Sequence, residues 1–156
     1  MTATTSTIHG PSGAAPAFLP ATTHSYLERA AESLEEAVAA SDVASRYASA
    51  HVAALRAAAA LLAARARPTP AGRRRRQQNA WVLLAQVAPE MEEWATFFAA
   101  GAAKRAAAEA GSTRAVTERE ADDLVRDADR FLGLVERALG LAPHAPAHEQ
   151  LVRLSG

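Results

Sequence analysis

The chain has 156 residues, 49% of them hydrophobic and only 5% aromatic, which predicts one domain with a core of alanine, leucine and valine. It has no cysteine, so disulfides, thiol catalysis and thiolate metal sites are excluded and a cytoplasmic setting is expected. Net charge is zero, yet eight arginines and no acid lie between Val43 and Pro89. This asymmetry either marks a side that faces a polyanion or reflects the Arg and Ala bias of GC-rich coding, since 16 of the 17 basic residues are Arg.

Residues 1–22 mix Thr, Ser, Gly, Pro and Ala with few large apolar groups, too little burial to offset the entropy of ordering them, and are expected to form a flexible arm. No Lys or Arg precedes Arg29, so the arm lacks the charge of a secretory signal. No window reaches the ~18 uncharged apolar residues of a membrane helix, because "AAAALLAA" is bounded by Arg56 and Arg65. No membrane partner is expected.

A first helix is predicted from about His24 to Ala40, where Leu27, Ala30, Ala31, Leu34, Ala37 and Val38 recur at three- and four-residue spacing. Ser41 and Asp42 can stop it and cap a second helix, about Val43 to Arg67. "PTPAG" then breaks the chain, and Arg73, Arg74, Arg75 and Arg76 lead into a short apolar helix, "AWVLLAQVA". Four arginines beside "QQN" have the composition of a phosphate contact. They equally suit a solvated loop, because no aromatic is interleaved to stack bases.

Pro89 is expected in the first turn of a fourth helix running to Gly111, with acids at its N-terminal end. Thr117 and Glu120 form a capping box that opens the most regular helix. There Ala121, Leu124, Val125, Ala128, Phe131, Leu132, Val135 and Leu139 share one face, with Asp122, Arg126, Asp129, Glu136 and Arg137 opposite. Asp122 and Arg126 are spaced for an ion pair. The acids of this helix match no calcium loop, and His144 and His148 are separated by Pro146, so no metal site is expected. Trp81, Trp94, Phe97, Phe98 and Phe131 read as core filler between alanine-lined helices.

No segment alternates with period two, so the fold is expected to be all-α: an antiparallel bundle of four main helices and one short one over residues 23–141, followed by a tail, 142–156. No Glu is followed three residues later by His, which excludes the ferritin-like di-iron pattern, and phosphate loops and nucleophile elbows are absent.

The blocks "RYASAHVAALRAAAALLAARARP", "WVLLAQVAPEMEEWATFFAAGAAKRAAAEAG" and "VTEREADDLVRDADRFLGLVERALGL", within Tyr26 to Leu141, resemble the actinobacterial branch of the HEPN domains. The resemblance implies a HEPN-like bundle and a homodimer. It also implies either a metal-independent ribonuclease of toxin or defence type, or a non-enzymatic module that binds RNA, nucleotide or a protein partner, with no cofactor in either case. The ribonuclease motif is an Arg, four to six residues, then a His; only Arg46 and His51 fit it.

In that reading His51 is the general base or acid on a ribose 2'-hydroxyl and Arg46 steadies the developing phosphorane charge. The motif ordinarily opens a late helix, however, and here the late helix begins "TEREADDLVRDADRF" without a histidine. Five positions at ~100° each also set Arg46 and His51 about 140° apart. His51 then falls on the apolar stripe with Tyr47 and Leu55, and Arg46 on the polar one with Ser49 and Arg56. The competing reading is therefore a buried, hydrogen-bonded histidine beside a surface arginine.

Overall fold

The structure is a computed structural model that describes residues 18–65 and 79–147. Helix α1, Ala21–Ala39, starts three residues earlier than its periodicity suggests. Pro20 occupies the N-cap, and the Thr23 hydroxyl, fully buried, donates to the Ala60 carbonyl at 3.2 Å, which ties the first turn to the neighbouring helix. Helix α2 spans Val43–Arg65. Asp42 opens it by accepting the Ser45 amide at 2.9 Å, a cap worth about 1 kcal/mol.

α2 is the central helix. It packs most extensively on α1 and on the last helix, and it also meets two of the shorter ones. Ala50, Ala53, Ala54, Ala57 and Ala58 are buried along it and face Ala30 and Ala37 across a core whose small side chains let helix axes approach closely. By length and composition alone α2 would also pass for a membrane-crossing helix, but half of its most apolar window is buried inside the bundle.

Helix α3, Ala80–Val87, is capped by the Asn79 side chain, which accepts the Trp81 amide at 3.0 Å. The single helix expected from Pro89 to Gly111 is divided. Pro89–Met91 forms a 3-10 turn, α4 runs Glu92–Ala100 and α5 runs Ala102–Glu109. Gly101 sits at the break with φ −82° and ψ −6°, and its amide donates to the Phe98 carbonyl at 3.1 Å. A β-carbon at this position would lie 3.0 Å from the Tyr47 hydroxyl of α2, so the glycine at the break suits a close approach of α2 that local periodicity does not contain.

Helix α6, Glu118–Ala138, carries the expected capping box: the Thr117 hydroxyl accepts the Glu120 amide, and the Glu120 carboxylate accepts the Thr117 amide, both at 3.2 Å. It ends at Gly140, φ +75°, where the Leu141 amide reaches back to the Glu136 carbonyl at 2.8 Å and turns the chain onto the helix it has just left. Among the described residues there are helices and turns and no strand. The wider gaps between helices are filled by Trp81, Phe98 and Phe131, all buried, with Trp81 stacked on Phe98 at 5.0 Å. Trp94 is partly buried against the same cluster, whereas Phe97, expected in the core, is half exposed.

Candidate functional site

Arg46 and His51 both lie in the first half of α2, and the structure does not bring them together. They share no partner, and no hydrogen bond links them. Arg46 comes from the first turn and reaches sideways. Its guanidinium donates to Asp122 Oδ1 of α6 at 2.6 Å and to the Ala40 carbonyl at 3.1 Å, so one side chain closes the C-terminal end of α1 and pins it to the start of α6. Asp122 is therefore not paired with Arg126, as helical spacing had implied. Arg126 instead bonds Asp123 at 2.7 Å, because a partly buried arginine from another helix reaches Asp122.

His51 is 1% exposed. Its Nε2–H donates to the Phe98 carbonyl at 3.0 Å, the same oxygen that accepts the Gly101 amide. The imidazole therefore holds α2 to the α4–α5 break. Trp81 and Phe98 meet the ring edge-on at 6.0 and 6.1 Å. Nδ1 is buried without a partner among the described residues. Burial pushes the His51 pKa below the ordinary histidine value, partly offset by the Phe98 bond. The ring is thus neutral and protonated on Nε2, with Nδ1 as an unused acceptor.

Arg73, Arg74, Arg75 and Arg76 lie outside the described residues.

A second histidine centre was not legible in the sequence. The turn at Gly140 returns residues 141–147 along α6, and His144 enters between Asp129 and Glu136, two acids placed by periodicity on the solvated face. Both are instead buried, at 6% and 9% exposure. Nε2–H of His144 donates to Asp129 Oδ1 at 2.5 Å, Nδ1–H donates to Glu136 Oε1, and the His144 amide donates to Glu136 Oε2 at 3.1 Å. The Ala147 amide adds a 3.2 Å bond to Asp129.

Each ring nitrogen faces a carboxylate, an arrangement that favours the imidazolium. The Asp129 bond, followed by Glu136, raises the His144 pKa to about 8 despite partial burial. The signal that could have found this centre is the seven-residue spacing of Asp129 and Glu136, two turns on one face, with a helix-ending glycine four residues further on and a histidine just beyond it. The two carboxylates take opposite sides of the ring and do not converge. Among the described residues no group of three His, Asp or Glu is placed to hold a metal ion.

A family model described as SAV_6107-like HEPN matches residues 37–136. The match runs from the last turn of α1 into the last turn of α6. It includes Arg46 and His51 and stops short of His144. No curated protein and no solved structure matches the chain.

Proposed function

The chain belongs to the SAV_6107-like HEPN family, and from that premise we propose that it is a non-enzymatic binding module, a cytoplasmic homodimer that takes RNA, nucleotide or a protein partner through its arginine-rich side. The separate engagement of Arg46 and His51 is the observation that supports this reading. Cutting RNA without a metal would need an imidazole within reach of a ribose hydroxyl and a guanidinium free to meet the phosphate. His51 is sealed in the core and donates to a backbone carbonyl, while Arg46 is held by Asp122 and Ala40. The four consecutive arginines, Arg73 to Arg76, supply the cationic chemistry for a polyanion.

The test is purified protein with labelled RNA in EDTA, alongside His51→Ala and a variant with Arg73 to Arg76 replaced by glutamine. The expected outcome is salt-sensitive retention of intact RNA by the wild type and by His51→Ala, and loss of retention in the glutamine variant. Cleavage that disappears with His51→Ala would replace this reading with the ribonuclease. Light scattering at micromolar protein checks the dimer, which gives twice the 16.3 kDa chain mass.

A further inference from the structure

The outer side of α4 carries an aromatic corner that the bundle leaves partly open. Trp94 and Phe97 stand with ring planes at 88° and centroids 6.3 Å apart, forming a corner rather than a stack. Phe97 is 48% exposed, although this chain has only four phenylalanines with which to fill its core. Glu93 beside Trp94 and Asp127 from α6 close the corner into a cleft of about 310 Å³. A second cleft of about 290 Å³ lies on the other side of Phe97, walled by Tyr47 and Leu124 and bounded again by Asp127.

Asp127 distinguishes this corner from an ordinary acidic surface. It is half-buried and makes no hydrogen bond or ion pair among the described residues. The acids that precede it on α6 are engaged: Asp123 with Arg126 at 2.7 Å and Glu120 with Lys104 at 3.0 Å. Arg126 and Arg130 act on Asp127 only at longer range. Burial accordingly holds its carboxyl above the usual aspartate range, which is the mark of a carboxylate that has lost water without gaining a cation.

We propose that this corner receives the guanidinium group of an arginine carried by a partner polypeptide. Aromatic faces attract cations, and perpendicular rings present such a face together with an edge. A bare aromatic corner would accept any cation, but a carboxylate with open acceptor positions also calls for N–H donors. Guanidinium meets both demands, since its plane can lie on Phe97 while its fork of donors meets Asp127. A quaternary ammonium has no N–H to give, and lysine cannot stack. Phosphate is repelled by Asp127 and Glu93, so the site is distinct from the arginine-rich side and stands whether or not the chain binds RNA.

The experiment titrates the full-length protein into a fluorescent peptide bearing two arginines, and into its lysine counterpart. Binding is read by anisotropy and helicity is checked by circular dichroism. The arginine peptide is expected to bind about tenfold tighter than the lysine peptide. Asp127→Asn should weaken it about tenfold and Phe97→Ala about fivefold, with helicity unchanged. Equal binding of the two peptides, or an Asp127→Asn protein that binds like wild type, would overturn the proposal. Binding that becomes measurable only after Arg73 to Arg76 are replaced by glutamine would place the chain's own arginines in the corner and overturn the partner polypeptide as occupant.

Discussion

The two described histidines that face the inside of the molecule are treated in opposite ways. His51 enters a core of alanine and aromatic rings with one carbonyl to bond, and it stays neutral. His144 enters between two buried carboxylates and becomes a cation. Burial alone therefore does not set the charge of a histidine; what decides is whether the groups waiting for it are neutral or negative. The first serves as a packing joint between α2 and the α4–α5 break, and the second as an ionic clasp for the chain beyond α6.

The comparison is most sharply broken by removing each ring. His51→Ala leaves a void beside Trp81 and Phe98 and removes the bond to Phe98, and it should cost about 3 kcal/mol in urea unfolding. A loss below about 1 kcal/mol would mean that the site collapses around the gap and that His51 is no joint. His144→Ala removes little packing, since the side chain is 21% exposed, but it leaves Asp129 and Glu136 facing one another without a cation. The expected loss is about 2 kcal/mol. Adding Asp129→Asn and Glu136→Gln to His144→Ala should recover part of it; no recovery would make the clasp a matter of shape rather than charge.

Acidity separates the two centres by sign. An unfolded histidine titrates near 6.5. The folded His144 value, about 8, lies above this, so its stabilisation is complete below about pH 6.5 and is lost as pH rises through 8. The folded His51 value lies below it, so as pH falls beneath about 6.5 the unfolded chain takes up a proton that the native ring refuses, and stability falls. Unfolding measured from about pH 5 to 9 should therefore peak near neutrality. The alkaline limb, about 1 kcal/mol after allowing for partial exposure, should vanish in His144→Ala and persist in the His51 variant. An alkaline limb unchanged in His144→Ala would assign it to another group.

The sequence exposes these two centres unequally because one is local and the other is not. The inward direction of His51 follows from 100° per residue along a single helix, and the capping box of α6 follows from four consecutive residues. His144 becomes meaningful only after the chain reverses at Gly140, so three residues that periodicity assigns to a solvated face and a tail form one buried centre. The same limit explains Asp122, whose partner Arg46 lies 76 positions away while Arg126 sits one turn along. Phe97 failed for the complementary reason. A large aromatic on a helix is normally core, and its exposure depends on how α4 lies against α6, which no single helix specifies.

Gly101 gives the smallest and most discriminating effect. In an isolated helix Gly→Ala would stabilise by about 1 kcal/mol, and the added methyl would favour joining α4 to α5. Here the new β-carbon meets the Tyr47 hydroxyl at 3.0 Å and lies 3.6 Å from the His51 ring, and Tyr47 is itself buried. The two contributions oppose, so Gly101→Ala should change stability by less than about 1 kcal/mol, on the destabilising side. The informative readout is the His51 ring. If the α4–α5 break is what presents the Phe98 carbonyl to Nε2, the imidazole resonances should shift and the proton on Nε2 should exchange faster, while those of His144 stay put. A variant more stable than wild type, with His51 resonances unmoved, would show that the break is incidental and that the joint rests on the aromatic rings alone.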